Sequence, residues 1–299
     1  MRVFVTGATG FIGSAVVSEL IGAGHSVLGL ARSDAGATAL AKAGAQVQRG
    51  DLEDLDALRA GAKATDGTIH TAFIHDFSKF MENGQIDKRA IAAMGEVMAG
   101  TNKPLIVSSG TAGIAVGSVA TEDIVMPDSG MSPRLSEQTV FSFTDKGVRT
   151  MAIRLAPSTH GESDQGFKAG FVSYQIEVAR QKGVSAYVGD GMNRWTAGHR
   201  IDAAKLYRMA LEKGRAGAAY HAIGEEGITI KDIATAIGRK LNLPMTSIGA
   251  EQAGEHFGFL GMFLGLDIPA SSAKTQAELG WKPVGPKLIA DIDAHYKAA

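Results

Sequence analysis

The chain has 299 residues, a formal net charge of −1 at pH 7 and no cysteine. The absence of cysteine excludes disulfides, thiolate-bound zinc and a thiol nucleophile. The balanced charge argues against nucleic acid or an acidic membrane surface as a partner. No apolar run approaches the ~20 residues that span a membrane, and the first segment has the pattern of a structural strand rather than of a signal peptide. We therefore expect a cytoplasmic protein.

The first predicted element is a short apolar strand that ends at Thr6 and leads into three glycines at a spacing of three. The first glycine allows a sharp turn, the second lets a pyrophosphate approach the backbone, and the third lets the next helix pack close to the strand. The N-terminus of that helix offers N–H groups and the positive end of its dipole to phosphates. The alternative is a tight turn that binds nothing. The pattern favours a dinucleotide site containing Gly7, Thr9, Gly10, Phe11 and Ile12, with Gly13 at the helix contact.

The second predicted strand, residues 26–30, ends in Ala31-Arg32-Ser33. An acidic residue here would hold the ribose hydroxyls of NAD, and none is present. Arg32 can pair with a 2′-phosphate and Ser33 can donate a hydrogen bond to it. Asp34 has the pattern of an N-cap for the next helix. These residues favour NADP(H) over NAD(H), unless Arg32 is only a solvated surface charge.

Strand and helix patterns continue to alternate up to residue 155. Such alternation predicts a doubly wound parallel Rossmann sheet of six strands, with its ligand at the carboxyl ends of the strands. The predicted helices are 34–43, 54–61, 79–100 and 134–146, a polar loop covers 113–133, and the remaining strands are 45–48, 68–72, 104–109 and 148–155.

Beyond residue 156 the predicted elements are shorter and mixed. We expect an NADP-binding domain over 1–156 and a smaller mixed α/β substrate lobe over 157–299, although the chain can cross back to the sheet. The predicted helices of this lobe are 167–182, 201–213, 230–241, 271–279 and 287–296, and its predicted strands are 186–188, 219–221 and 245–248.

These motifs resemble the extended and atypical members of the short-chain dehydrogenase/reductase superfamily, which are often described as NAD-dependent epimerase/dehydratase-like. Thr6–Gly13 resembles the cofactor fingerprint, Gly50–Leu52 the turn beside the adenine, and Ile69–Phe73 the strand beside the nicotinamide ribose. Residues 107–111 resemble the strand end that supplies a catalytic hydroxyl, and residues 154–161 the loop at the carboxamide. The resemblance implies cofactor contacts from Asp51, Leu52, Ala72, Phe73, Ser108, Pro157 and Ser158.

The catalytic signature of that superfamily, Tyr-x-x-x-Lys, is missing. Counting back from the strand at 148–155 puts Pro133 at the tyrosine position and Glu137 at the lysine position, and no tyrosine occurs between residues 1 and 173. A carboxylate cannot replace the lysine because its charge has the opposite sign. The usual pair is therefore not transferred to this chain.

Other side chains could stabilise or protonate a developing alkoxide. Ser109 and Thr111 lie at the end of the strand at 104–109, His75 stands beside Asp76, and His160 lies in the predicted carboxamide loop. Arg134 and Glu137 are one helical turn apart, so they could form an ion pair, or Arg134 could polarise a substrate oxygen. Turn caps and surface or packing side chains are the alternatives for each. The catalytic candidates are Ser109, Thr111, Glu137, His160 and His75.

The second lobe offers weaker candidates. Tyr174 could be a substitute acid or a packing aromatic, and the turn 189–195 could contact substrate or only shape the lobe. The apolar stretch 257–263 could line a substrate pocket, belong to the core or form a dimer contact. The scattered histidines show no metal-ligand spacing, so no metal is expected.

The leading hypothesis is an NADP(H)-dependent oxidoreductase that transfers a hydride between the nicotinamide and a carbonyl or alcohol carbon of a small organic molecule. A non-catalytic NADP(H) sensor is the main alternative, because the usual catalytic pair is absent. An epimerase or lyase with bound NAD(P) is the third. A homodimer through the helix at 79–100 is compatible with its apolar stripe, which could equally be core: Ile91, Met94, Val97 and Met98.

Overall fold

The computed structural model describes residues 1–126, 134–163, 166 and 168–296. In its first half, strands alternate with helices as expected. The elements are β1 (Arg2–Thr6), α1 (Phe11–Gly22), β2 (Ser26–Ala31), α2 (Asp34–Lys42), β3 (Gln46–Arg49), α3 (Leu55–Lys63), β4 (Gly67–His70), α4 (Phe80–Met98), β5 (Pro104–Gly110), α5 (Ser136–Phe141) and β6 (Arg149–Leu155).

The second half contains shorter strands between helices. Its elements are β7 (Ser158–Gly161), β8 (Lys168–Ala169), α6 (Phe171–Lys182), β9 (Ser185–Val188), β10 (Arg194–His199), α7 (Arg200–Lys213), β11 (Ala218–Ala222), β12 (Glu225–Thr229), α8 (Ile230–Leu241), β13 (Met245–Ile248), α9 (Ala253–Phe257), α10 (Gly261–Leu264), α11 (Ala273–Leu279) and α12 (Leu288–His295).

The large sheet is parallel throughout, and within the described residues it has seven strands in the order β11-β6-β5-β4-β1-β2-β3. The Rossmann class is confirmed, but the expected six strands are corrected to seven. The extra strand, β11, comes from the second half of the chain and pairs with β6. The chain therefore crosses back to the sheet.

The large sheet is covered by helices on both faces. Because side chains alternate along a strand, Val3 and Val5 face one core, which contains Leu206 and Tyr207 of α7. Phe4 faces the other core, which α3, α4 and α5 close. The apolar stripe of α4 belongs to this second core, since Ile91 and Met94 are fully buried.

A smaller sheet lies in the second lobe, with the order β12-β10-β7-β8, and β9 pairs with β13 beside it. None of β7, β8, β10 and β12 was expected from the sequence pattern. The helix expected from residue 167 begins at Phe171, after Gly170 in a positive-φ conformation (φ +55°), while residue 167 itself lies outside the described residues. The helix expected over 134–146 shortens to α5. The end of the expected loop and Pro133 also lie outside the described residues.

A helix that spans a membrane must be both long and apolar, and the helices of the described ranges fall short of this requirement. None of them is both long and apolar enough to cross a membrane.

Candidate functional site

The glycine turn between β1 and α1 has the shape that a dinucleotide site requires. Gly7 has a φ of +65°, and a Cβ atom there would lie 2.6 Å from the backbone nitrogen of Ala72. A Cβ at Gly13 would lie 2.0 Å from the carbonyl oxygen of Gly7. No side chain caps the N-terminus of α1 at Gly10, so its first N–H groups remain available for phosphate oxygens. The cradle fits a dinucleotide because only hydrogen atoms fill the space that side chains would occupy.

Two arginines mark the ends of β2 and β3. Arg32 is exposed directly after β2, and Arg49 ends β3 beside Ala31. Arg49 donates a 2.7 Å hydrogen bond to the carbonyl of Ser33 and forms a 3.0 Å ion pair with Asp34. Its signal in the sequence is a basic residue at the end of the strand that neighbours β2.

Ser33, not Asp34, is the N-cap of α2. The Oγ atom of Ser33 accepts a 3.1 Å hydrogen bond from the N–H of Gly36, and Asp34 is the first residue of the helix. The expected cap is therefore corrected by one residue. An accepting hydroxyl still has its own proton, so Ser33 can also donate.

The turn after β3 is shaped by the Asp51 side chain. Its Oδ1 atom accepts hydrogen bonds from the N–H groups of Glu53 (2.9 Å) and Asp54 (3.1 Å). Leu52 packs against the core that contains Phe4. Asp51 therefore holds the backbone that the resemblance places beside the adenine.

Three hydroxyls at the end of β5 have different environments. Ser108 is buried, and its Oγ lies 3.0 Å from the carbonyl oxygen of His70 and 2.6 Å from the Oη of Tyr207. Thr111 is buried with its Oγ1 3.3 Å from that of Thr196. Ser109 is half-buried, and its hydroxyl forms no hydrogen bond with the described part of the chain. Of the three, Ser109 is the one available to a substrate.

A tyrosine does reach β5 from a distant helix. Tyr207 of α7 is fully buried beneath the sheet, and burial raises the pKa of its phenol. Its hydroxyl is occupied by Ser108. It stabilises the strand but is enclosed, so it does not replace the missing catalytic tyrosine.

Arg134 lies over the carboxyl ends of β4 and β5. Its guanidinium carbon stands 4.3 Å from the ring centroid of Phe73, and Nη2 donates a 2.9 Å hydrogen bond to the carbonyl of Ser108. Nε donates to the hydroxyl of Ser136 at 2.9 Å. A cation is thus held on an aromatic face at the strand ends where the fold binds its ligand.

A buried polar chain supports Arg134 from below. The Asp87 carboxylate accepts from Ser136 (2.5 Å), lies 3.1 Å from Nε2 of His70 and stands 3.9 Å from Nε of Arg134. His70 in turn contacts the hydroxyl of Thr6 at 2.7 Å. Burial alone would raise the pKa of Asp87, but Arg134 and the hydrogen-bonded His70 lower it. The signals for this chain are a histidine ending a buried strand and an aspartate on the buried face of α4.

Glu137 pairs with Arg154 instead of the expected Arg134. Both carboxylate oxygens accept from the Arg154 guanidinium, with 2.9 Å between Nε and Oε2, and both side chains are buried. Arg154 also donates to the carbonyl of Ile124 at 2.8 Å. This geometry directs Glu137 toward β6, where it makes a structural contact.

His75 follows β4 and packs its ring at 5.4 Å against Phe73. Burial, then the positive charge of Arg134 and, more weakly, that of Lys168, lower the pKa of the imidazole. Asp76 caps the short turn after it by accepting from the N–H and hydroxyl of Ser78 at 3.0 and 2.6 Å. His75 lies beyond the carboxyl end of β4 with part of its surface exposed, and the lowered pKa favours its neutral form.

His160 faces the C-terminal helix. Its Nδ1 lies 2.7 Å from Oδ2 of Asp291 in α12, and its ring meets that of His199 edge to face at 5.4 Å. Burial lowers the pKa of His160, against the opposing effect of Asp291. The contact assigns His160 to the packing of the second lobe.

The loop after β6 joins the two lobes. Pro157 accepts a 2.9 Å hydrogen bond at its carbonyl from the N–H of Phe171, which begins α6. Ser158 is buried, and its hydroxyl has no partner in the described part of the chain. Ala72 and Phe73 lie half-buried after β4. Pro157 and Ser158 follow β6, Ala72 and Phe73 follow β4, and the resemblance implies contacts near the nicotinamide from all four.

Arg200 forms a second bridge between the lobes. Its Nε donates to the carbonyl of Phe11 (2.9 Å), Nη2 to the hydroxyl of Ser14 (2.8 Å) and Nη1 to the carbonyl of Glu162 (2.7 Å). The guanidinium carbon also lies 4.9 Å from the centroid of the Phe11 ring. From the sequence, this arginine is marked only by its place before the predicted helix at 201–213.

A metal ion would need several histidine or carboxylate side chains that converge on one point. Across residues 1–126, 134–163, 166 and 168–296, no three or more histidine, aspartate or glutamate side chains are placed to hold a metal ion.

Comparison with known proteins assigns the family. The model of the NAD-dependent epimerase/dehydratase family matches residues 3–224. The chain is 50% identical to uncharacterized protein C2A9.02 of Schizosaccharomyces pombe over 99% of this chain and 100% of that one. It is 46% identical to uncharacterized protein YLL056C of Saccharomyces cerevisiae over 99% of both chains.

A solved structure agrees in fold. The dTDP-glucose 4,6-dehydratase DesIV of Streptomyces venezuelae, determined with NAD and TYD bound, superimposes with a TM-score of 0.74 at 18% identity, covering 98% of this chain and 95% of that one. This chain belongs to the NAD-dependent epimerase/dehydratase family.

Proposed function

We propose that this protein is an NADP(H)-dependent oxidoreductase that interconverts a carbonyl and an alcohol on a small organic substrate. The observation that carries the proposal is Arg134, held over the ends of β4 and β5, with the Ser109 hydroxyl on the second of these strands. A fixed cation and a hydroxyl donor are what a developing alkoxide requires. When bound, the cofactor supplies or accepts the hydride, and the protein orients the substrate.

The residues of this chain divide that work. Arg134 polarises the substrate oxygen, Ser109 donates a hydrogen bond to it, and neutral His75 exchanges protons with solvent at the edge of the crevice. The buried chain through Ser136 and Asp87 fixes the guanidinium, so little reorganisation accompanies the reaction. Thr111, Glu137 and His160 leave the set of catalytic candidates because their side chains are engaged elsewhere.

The preference for NADP(H) rests on the ends of β2 and β3. We infer that Arg32 and Arg49, exposed at the ends of β2 and β3, would pair with a ribose 2′-phosphate, and Ser33 retains a hydroxyl proton that it can donate. Planar guanidinium groups pair well with phosphate oxygens. The remaining contacts are proposed for Gly7, Thr9, Gly10, Phe11, Ile12, Asp51, Leu52, Ala72, Phe73, Pro157 and Ser158. Ser108 contributes through the strand, because its side chain is buried.

The test begins with titrations of the purified protein with NADPH and NADH, followed by addition of aldehydes and ketones. We expect tighter binding of NADPH and its oxidation by some of the carbonyl compounds. Arg134→Gln should lower kcat/KM by about a hundredfold, within the range for loss of one oxyanion-stabilising group. Ser109→Ala should lower it by about tenfold, with Arg59→Gln and Ser142→Ala as surface controls. Tight NADPH binding without turnover would instead support the sensor.

A further inference from the structure

Among the described residues, aromatic side chains cluster on the second lobe: Phe171 and Tyr174 of α6, and Phe259 and Phe263 of the segment that follows α9. The Phe171 ring lies 5.6 Å from that of Phe263 and 6.3 Å from that of Phe259. The Tyr174 and Phe259 rings meet at 90° with 5.1 Å between centroids. Tyr174 remains 39% exposed, so the cluster is open to solvent on one side.

The aromatic cluster lies next to the catalytic end of the large sheet. Phe171 donates its N–H to the carbonyl of Pro157, in the loop directly after β6. Ala112, three residues beyond Ser109, packs against the same second-lobe core as Phe171, Phe259 and Phe263. The cluster therefore lies on the second-lobe side of the strand ends, while Phe73, with Arg134 over its ring, follows β4 of the large sheet.

The side chains on the two sides of the strand ends favour one class of substrate. Aromatic rings bind other flat, polarisable groups by edge-to-face and offset contacts. Of these four side chains, Tyr174 alone carries a hydrogen-bonding group, so most hydroxyls of a sugar buried here would lose their bonds to water without compensation. Arg134 and Ser109 can meet one oxygen atom at the other end of the molecule.

We propose that the substrate is an aromatic or conjugated aldehyde or ketone whose ring is held by Phe171, Tyr174, Phe259 and Phe263, with its carbonyl oxygen toward Ser109 and Arg134. This inference rests on the proposed function. The reaction balances as one hydride from NADPH to the carbonyl carbon and one proton from solvent to the oxygen, giving the alcohol and NADP⁺. It distinguishes this site from one that takes sugar nucleotides.

The first experiment compares benzaldehyde with cyclohexanecarbaldehyde, which has a saturated ring of similar size. We expect kcat/KM with NADPH to be at least tenfold higher for benzaldehyde. Phe259→Leu and Tyr174→Leu should each lower the value for benzaldehyde by roughly tenfold through KM, with little change for the saturated aldehyde. Tyr187→Leu, an aromatic residue of β9, serves as the matched control. Equal values for the two aldehydes, unaffected by these variants, would overturn the inference while leaving the reductase intact.

A binding measurement separates the inference from the proposed function. Benzyl alcohol and cyclohexylmethanol, titrated calorimetrically into the protein with NADPH present, require no turnover. Preferential binding of benzyl alcohol that Phe259→Leu weakens would support the aromatic site even if no aldehyde were reduced. Preferential binding of UDP-glucose, unchanged by Phe259→Leu, would contradict it.

Discussion

Arg200 Nε donates a 2.9 Å hydrogen bond to the carbonyl of Phe11, the first residue of α1. The second lobe thereby holds the end of the helix on which the cofactor phosphates are proposed to rest. Arg200→Lys keeps the charge but loses the planar fork that reaches three acceptors. We expect NADPH to bind about tenfold more weakly, with the fold retained. Arg208→Lys is the control, because Arg208 lies on the same helix and pairs with Glu19 of α1. An unchanged Kd in Arg200→Lys would contradict the coupling.

The close approach of α1 to the glycine turn makes a second prediction. A Cβ at Gly13 would collide with the carbonyl of Gly7, while one at Gly22 on the same helix meets nothing within 4 Å. Gly13→Ala should lower the free energy of unfolding by about 2–3 kcal/mol and abolish cofactor binding. Gly22→Ala should raise it by about 0.5 kcal/mol. Urea unfolding and NADPH titration of both variants measure the difference, and equal behaviour would refute the packing argument.

The arginines at the ends of β2 and β3 should distinguish the two nicotinamide cofactors. Arg32→Gln and Arg49→Gln should each weaken NADPH binding by ten- to a hundredfold, because a charge-assisted phosphate contact is lost. NADH carries no 2′-phosphate and should be little affected. Fluorescence titrations with both cofactors give the ratio. A parallel loss of NADH affinity would mean that these residues act through the fold.

The Glu137–Arg154 pair should contribute to stability rather than to catalysis. Glu137→Gln leaves a buried guanidinium without its countercharge, and we expect about 3–5 kcal/mol of destabilisation. The folded fraction should retain its kcat for the best carbonyl substrate. Chemical denaturation gives the free energy of unfolding, and rates divided by the concentration of active sites give kcat. A large loss of kcat with unchanged stability would restore Glu137 as a catalytic residue.

The cluster around Asp291 predicts how stability depends on pH. Burial lowers the pKa of His160 and His199 from the ordinary 6.5, so the unfolded chain takes up these protons first as the pH falls. Above pH 6.5 the contribution of these two histidines to the free energy of unfolding is therefore constant. Below pH 6.5 it declines by up to about 1.4 kcal/mol per pH unit for each histidine. His160→Gln keeps an N–H donor for Asp291 and should make the decline shallower. Denaturation curves between pH 5 and 7.5 test the slope, and an increase in stability toward pH 5 would refute it.

Local patterns in the sequence were sufficient for part of the fold. The bounds of α8 and β13 match the predicted 230–241 and 245–248, because a strong helical periodicity and a short β-branched run lie between turn residues. The glycine turn could also be predicted from the sequence, because a local steric requirement explains each of its three glycines. The α/β class followed from the alternation of elements.

Contacts between distant residues decide what the sequence pattern could not show. The strands β7 and β10 carry polar residues and become strands by pairing with each other across 39 positions, as in Ser158 with Ala197. Glu137 reaches Arg154, and His160 reaches Asp291 in the last helix, so neither is available where the local pattern placed it. The position of Arg134 over Phe73, by contrast, is the reason why we propose it as the group that polarises the substrate oxygen.

The strand β11 also governs the order in which the molecule can be completed. Until residue 222 has left the ribosome, β6 is an edge strand with an unpaired row of backbone groups, and the core beneath β1 and β4 lacks Leu206 and Tyr207. A nascent chain that has only its first 156 residues therefore exposes an unpaired strand edge and an uncovered apolar face of the sheet. The nucleotide-binding half therefore matures only after β11 of the second lobe has been synthesised, and cutting the gene between the two halves would yield neither as an independent unit.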